Sequence, residues 1–591
     1  MKAFKYFAFS VCLALFAGGS GTAAAQNYQT TDIQDLALIY QGGKHRLDWT
    51  VDEFRPYVTH RFLDGSKHWL FDGFLFLEFK NGTGRCYTVG YEKEFARKPE
   101  WEWLLDRIFD EGKSLSALDR CIGEQIAEIG KPAFRHKVVL GLPEAVRDQK
   151  DWGELDGRRM DFSKDEDQIA ATKWYIDQLI ARVKKAGYKH LELSGFYWVA
   201  EDTNHCGDLT VPLSEYIHAQ KKLFYWIPYW QAKGHEDWKR LGFDVAYQQP
   251  NHFFNKSIPD SRLDEACAVA RKNGMAMEFE FDERATIAAP DTFYDRMLAY
   301  IDRFEKNDVF NASAVAYYCG NRGVLTLFES NEHKDKVIMD RLARIIHTRQ
   351  VMKYGLPVKN KTRVVAHRGF WHTDGSAENS VSSLLNADKL GVYGAEFDVW
   401  MAADGKLVIH HDDKHGSYEM EKNPSTVLTT LELANGEKIP TLEQYLQAAR
   451  KTKLELVLEV KPHATPEADA EAVRKIVEMI GKYGLAKRVT YISFSFHALK
   501  ELVRVAPAKT PIMYLGGGTL PEDLKKMGMT GCDFNYWVFQ NNPTWLHSIK
   551  WLKMASNVWT VNNPVEMLWV IENGFDFITT DRPDLFLRLV R

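Results

Sequence analysis

The sequence predicts an α/β protein built as two tandem (β/α)8 barrels. Apolar runs bounded by turn residues alternate with amphipathic helical patterns along most of the chain, the signature of parallel sheets. These runs fall into two sets of eight, separated by a short polar connector. The length of 591 residues also exceeds what one hydrophobic core supports. In the first set, strands begin near Leu36, Gly73, Lys137, His190, Leu223, Val245, Met275 and Ala314, with helical stretches such as Ile169 to Ala186 and Ser261 to Lys272 between them. Eight strands with intervening helices match a closed barrel, and a doubly wound open sheet gives the same local pattern. Lys334 to Tyr354 reads as a final helix, and residues 355–361, with Pro357, as the connector. The pattern restarts with strands near Arg363, Ala395, Leu454, Val489, Pro511, Cys532, Asn557 and Asp576, plus an extra strand Lys406 to His410 after the Asp404-Gly405 turn. The expected domains are therefore 26–354 and 362–591.

The first 25 residues read as a secretory signal. Lys2 and Lys5 precede an apolar stretch from Phe7 to Ala17, and Ala23-Ala24-Ala25 offers a small-residue cleavage site. The stretch is too short to span a bilayer, and no other run of the required length occurs. Val11 before Cys12 does not suit a lipoprotein acceptor. The expectation is export to the periplasm or the extracellular space. A net charge of −4 without a long basic run argues against a nucleic-acid partner. Cys86, Cys121, Cys206, Cys267, Cys319 and Cys532 are scattered and form no CxxC pair, which disfavours a sulfur metal site. Buried thiols, or a disulfide such as Cys86 with Cys121, both fit this spacing.

Barrel enzymes keep their chemistry at the carboxyl ends of the strands, and the second set is dense in polar residues there. Its first strand ends in His367-Arg368-Gly369, and the following helix opens with Glu378-Asn379-Ser380. The second strand reads Gly394-Ala395-Glu396-Phe397-Asp398-Val399, so that alternation puts Glu396 and Asp398 on one face. His410-His411-Asp412 follows the extra strand, and the third barrel strand ends in Glu459-Val460-Lys461. Three converging carboxylates, Glu396, Asp398 and Glu459, suit a hard divalent cation such as Mg²⁺ or Ca²⁺. Two histidines can divide proton removal from a nucleophile and proton delivery to a leaving oxygen. Arg368 offers a fork for phosphate oxygens and Lys461 a second positive charge. Together these parts suit cleavage of a phosphodiester.

The series HRG, EN, GAEFDV, DG, VIHHD and LEVK, continued by Ser495-Phe496, Trp559 to Asn562 and Ile578 to Pro583, resembles the glycerophosphodiester phosphodiesterase family over the whole second barrel. The resemblance implies a barrel in which two histidines perform acid–base catalysis around one divalent metal. Its products would be an alcohol and a phosphomonoester, commonly sn-glycerol 3-phosphate. It matches His367 to the first catalytic histidine and His411, which precedes Asp412, to the second. Glu396, Asp398 and Glu459 match the metal ligands, and Arg368 and Lys461 the phosphate contacts. The family's Leu-Asp-Arg-Thr-Thr stretch is replaced here by Lys414 to Glu421, which bears on the alcohol pocket.

The first barrel offers Glu201 after LELSGFYWVA, and Glu278 and Glu280 in MEFEFDE. On the strand count these lie on strands four and seven, where facing carboxylates resemble the acid/base and nucleophile of retaining barrel glycosidases. Glu78, Trp198, Trp226, Tyr229, Trp230 and Gln249-Pro250-Asn251 would complete a sugar-like cleft. The region is similar to an uncharacterised barrel family of exported bacterial proteins. Helix capping and buried ion pairs are the structural readings of the same glutamates. The functional expectation is an exported phosphodiesterase acting on a small phosphodiester, whose first barrel binds or cuts a linked glycan. The alternatives are a glycan-directed hydrolase or binding protein whose second barrel acts on a phosphodiester-linked glycan or is an inactive binding module, a binding protein in which both barrels have lost catalysis, and a phospholipase D-like toxin acting on choline lipids.

Overall fold

The computed structural model describes residues 27–355 and 360–590. The secretory segment expected over residues 1–25 and most of the connector lie outside these. The chain divides into two compact units, residues 1–342 and 343–591, so the division falls inside the helix His333–Tyr354. No helix among the described residues is long and apolar enough to cross a membrane.

In the first unit the strands are β1 (Asp35–Tyr40), β2 (Gly73–Leu77), β3 (His136–Leu142), β4 (Leu191–Trp198), β5 (Leu223–Trp226), β6 (Val245–Gln248), β7 (Ala276–Glu280) and β8 (Val315–Tyr318). They close into a parallel barrel, with β1 paired to both β2 and β8. That closure excludes the open doubly wound sheet. Period-two alternation then decides which side chains reach the interior. Tyr197 and Val199 on and after β4, and Tyr225 and Ile227 on and after β5, join the inner core with Leu36, Leu38 and Tyr40. On β7 the inner positions are Ala276, Glu278 and Glu280, while Phe279 points outward onto Tyr300, Phe304 and Phe310.

The second unit repeats the scheme with β9 (Arg363–Ala366), β10 (Gly394–Met401), β11 (Leu407–Ile409), β12 (Glu455–Val460), β13 (Val489–Ser493), β14 (Ile512–Tyr514), β15 (Gly531–Asn535), β16 (Ala555–Trp559) and β17 (Phe577–Thr580). Eight of these close as parallel neighbours through β9, which pairs with β10 and β17. The ninth, β11, is an antiparallel arm on β10. Ala395, Phe397 and Val399 of β10 pack in the main core, as do Leu456, Leu458 and Val460 of β12. The intervening residues Glu396, Asp398 and Glu459 are therefore turned into the barrel mouth. Beyond β11, Lys414–His415 and Tyr418–Glu419 form a small hairpin over a separate cluster that includes Trp400, Val408, Met420 and Leu428.

Candidate active site in the second barrel

Glu396, Asp398 and Glu459 converge so closely that one ligand oxygen from each lies within 4.8 Å of the others. Lys461 Nζ reaches Asp398 Oδ1 at 3.3 Å and Glu459 Oε1 at 3.0 Å, but the latter approach lies outside hydrogen-bonding geometry. Glu459 Oε1, sealed from water, therefore lacks a donor. Burial, reinforced by the charges of Asp398 and Glu459, pushes the Glu396 carboxyl well above its usual range. Burial and the Asp398 charge push Glu459 to about 8. Asp398 goes the other way. Burial opposes its charge, yet Lys461, His411, Asn379 and Arg368 outweigh it and hold the carboxyl below its ordinary value. Three buried oxygen donors, one without a hydrogen bond and two reluctant to ionise, fit a hard divalent cation.

Backbone strain serves the same cluster. Arg368 has φ 53° and Gly369 φ 77°, both left-handed. A Cβ on Gly369 would meet the Ser383 backbone carbonyl carbon at 2.7 Å, so only glycine fits. The turn aims the Arg368 N–H at Glu396 Oε2, 2.8 Å away, and its guanidinium at Glu378. Asn379, also left-handed at φ 58°, donates to Asp398 Oδ2 at 2.8 Å and accepts from the Asp398 N–H at 3.1 Å. Strain of this kind, of order 1–3 kcal/mol per residue, persists where surrounding bonds over-determine it.

His367 Nδ1 lies 2.7 Å from Asp581 Oδ1, which leaves Nε2 facing Glu396 at 4.0 Å. Asp581 is held in turn by Asn562 Nδ2 at 2.7 Å and Trp371 Nε1 at 3.3 Å. Although burial works against its charge, the bonds to His367 and Asn562 keep its carboxyl below the usual range. His411 Nδ1 lies 2.6 Å from Asp412 Oδ1, and burial lowers its imidazole despite the nearby Asp398. A cavity of about 160 Å³ brings His367, Arg368, Glu396, His411 and Glu459 together, walled by Ile492, Phe494, Leu515 and Trp559. A second, of about 600 Å³, lies between Trp371, His372, His410, His411 and His415, with His411 common to both. His410 faces only the outer cavity and pairs with His415 at 3.1 Å. The structure thus assembles all seven residues expected from the sequence, with Lys461 bridging the carboxylates beside the cavity. Sequence reasoning missed Asp581, Asn379 and Trp371 as site residues, although the strings around Asp581 and Asn379 were part of the resemblance. It also missed Asp533, which lines the inner cavity and which burial lifts to about 7 against a hydrogen bond from Asn557.

In the first barrel, Glu201, Glu278 and Glu280 do line one cavity. Its aromatic wall is not the expected one. Trp198 and Trp226 have the opposite strand parity and are fully buried outside the barrel interior, Trp226 stacked on Phe243. Trp230 lies under Arg262 and Tyr229 bonds Asp202, and neither lines the cavity. Glu78 is consumed by Arg46 at 2.9 Å and by three backbone N–H groups, a structural role. All six described cysteines are buried and free, so the Cys86–Cys121 disulfide is not formed. Burial lifts Glu201 to about 7 despite a hydrogen bond from Gln249. A raised carboxyl pKa contributes stability that is full below about 4.5 and is lost as pH climbs through about 7. Glu201→Gln should therefore flatten the fall in unfolding temperature between pH 5 and 8, by an amount worth roughly 3 kcal/mol. Thermal unfolding of both proteins across that range checks this, and parallel pH curves would refute it.

Residues 35–344 match the family model described as a domain of unknown function, DUF4855, and residues 367–585 that of the glycerophosphoryl diester phosphodiesterase family. A glycerophosphodiester phosphodiesterase of Caldanaerobacter subterraneus subsp. tengcongensis is 28% identical over 244 residues, 39% of this chain and 98% of that protein. A crystal structure of a glycerophosphodiester phosphodiesterase from Parabacteroides distasonis aligns at 46% identity and TM-score 0.39, covering 39% of this chain and 98% of that one. A phosphodiesterase from Oleispira antarctica, solved with the product sn-glycerol-3-phosphate, aligns at 24% identity and TM-score 0.35, covering 38% and 96%.

Proposed function

Because the chain belongs to the DUF4855 family and its second unit is a glycerophosphodiester phosphodiesterase domain, we propose that it hydrolyses a glycerophosphodiester to an alcohol and sn-glycerol 3-phosphate. One observation carries the reading. Two carboxylate-backed histidines open onto a single cavity lined by Arg368, Glu396 and Glu459, with Asp398 and Lys461 completing the buried cluster beside it.

The protons have a route. Asp581 holds the Nδ1 proton of His367, so Nε2 presents a lone pair that takes a proton from the attacking water. The new O–P bond forms as the ester O–P bond breaks, and the departing oxygen takes a proton from His411. Its place on both cavities puts that donor where the alcohol leaves, and burial makes its imidazolium the readier to release the proton. Arg368 and Lys461 offset the charge gathering on the phosphoryl oxygens. A divalent cation, Mg²⁺ or Ca²⁺, held by Glu396, Asp398 and Glu459 would add Lewis-acid neutralisation of those oxygens. The outer cavity, which His415 of the hairpin lines, is the space for the alcohol.

The full chain is incubated with glycerophosphocholine, glycerophosphoethanolamine, glycerophosphoglycerol and glycerophosphoinositol, and sn-glycerol 3-phosphate is measured. Release is expected from at least one, abolished by a chelator and restored by Mg²⁺ or Ca²⁺. Inertness toward all four sinks the substrate class, and chelator-resistant turnover sinks the metal requirement. We also propose export by the amino-terminal segment, which retention of the chain in the cytoplasmic fraction of expressing cells would contradict.

A further inference from the structure

The mouth of the first barrel holds a cavity of about 320 Å³ that the phosphodiesterase reading leaves without a role. Glu201 reaches it from the end of β4, and Glu278 and Glu280 from the inner face of β7, three positions away around the ring. Glu280 is fixed by the Tyr300 hydroxyl and by the His252 N–H at 3.0 Å, and Glu201 by Gln249 Nε2 at 2.9 Å. Among the described residues Glu278, only 2% exposed, finds no hydrogen-bond partner and no cation beside it. The Tyr40 hydroxyl, on a residue 5% exposed, makes no hydrogen bond either. Buried polar groups are nearly always bonded, so two unpartnered ones on one cavity point to a ligand that supplies the missing partners.

The wall says what kind. Phe79 and Tyr91 stack at 4.3 Å, Tyr318 stands edge-on to Tyr40 at 5.6 Å, and Phe254 edge-on to Tyr318 at 5.2 Å. Tyr91 and Phe254, 40% and 38% exposed, leave ring faces bare at the rim. A pyranose has an apolar C–H face for such rings and a hydroxyl edge for carboxyls and amides. Phosphate finds no welcome, because Arg46 is taken by Glu78, leaving Lys80 alone against three carboxyls.

We propose that this cavity is a second hydrolytic centre that cleaves a glycosidic bond in an uncharged sugar, with Glu201 as proton donor and Glu280 as base. The glycosidic C–O bond breaks with its electron pair left on the departing oxygen, which receives the Glu201 proton. A water oxygen bonds to the anomeric carbon, and the water's proton passes to Glu280. A free sugar and an alcohol result. Burial lifts both Glu201 and Glu280 to about 7, so near neutrality one can keep a proton while the other is ionised, and the Tyr300 hydroxyl and His252 N–H stand ready to hold the charge on Glu280. Glu278 and Tyr40 bind sugar hydroxyls.

The full chain is incubated with 4-nitrophenyl α- and β-glycosides of glucose, galactose, mannose, xylose, fucose and N-acetylglucosamine. Cleavage of at least one is expected. Glu280→Gln should lower that rate by about 10² to 10⁴. Glu201→Gln should lower it comparably for the methyl glycoside of the same sugar, yet little for the 2,4-dinitrophenyl glycoside, whose leaving group needs no proton. A wild-type protein inert toward the whole panel overturns the proposal without recourse to any variant. So does cleavage that survives both substitutions.

Discussion

Replacing His367 with Ala should lower turnover of a glycerophosphodiester by about 10² to 10⁴, while Mg²⁺ or Ca²⁺ binds as before. The separation of effects follows from the geometry. The imidazole is anchored to Asp581, and the site proposed for the cation is built from carboxyls on β10 and β12. His411→Ala should match it. His410→Ala should cost no more than a few-fold, because that ring faces only the outer cavity and leans on His415. Asp581→Asn is the finer test. It leaves His367 in place but lets the ring adopt the wrong tautomer, so kcat should fall with KM nearly unchanged. Steady-state kinetics across a metal titration reads all four. A dead His410→Ala beside an active His411→Ala would move the second histidine by one residue.

The carboxyl triad should give the next largest effect, with opposite signs in the presence and absence of metal. Glu396 is buried beside two like charges and its own carboxyl resists ionising, so Glu396→Gln should leave the metal-free protein as stable or more so. The same change removes a ligand, and affinity for the cation should drop at least tenfold, about 1.4 kcal/mol. The rise in unfolding temperature on adding Mg²⁺ or Ca²⁺ should shrink accordingly, and excess cation should restore part of the activity. Asp398→Asn should be harsher, since it also strips Lys461 and Asn379 of the charge they face. Thermal unfolding with and without cation separates the cases. An unchanged metal-induced shift in Glu396→Gln would exclude that residue as a ligand.

Nearly all of both barrels was legible because a strand with one face in the core must alternate. The same rule puts Glu396 and Asp398 on one face of β10. The aromatic cleft expected in the first barrel runs against that rule. Trp198 and Trp226 share parity with Phe196 and Phe224, which point at the helices, whereas Tyr197 and Tyr225 point inward. Tyr91 and Phe254 come from loops, where no period exists to be read, and they reach the cavity only through the closure of the ring. Asp581 was hidden for another reason. It is 214 residues from His367, and only the pairing of β9 with β17 makes them neighbours.

The arm that carries His411 has a consequence for the temperature range in which the enzyme can work. β11 itself is bonded along one edge to β10, bridges Thr441 and buries Leu407 and Ile409 in the main core. The segment from His410 to Glu419 beyond it, however, is largely exposed, next to a separate cluster of eight buried residues. Such a piece opens at a lower free energy than the ring it rests on. His367 and the carboxyls ride on strands that come apart only when the whole barrel does. Warming or mild denaturant should therefore withdraw one half of the proposed acid–base pair while the barrel is still intact. The ceiling on activity is set by the fastening of this arm, and tightening Trp400, Val408 and Met420 against it would raise that ceiling without touching a reacting group.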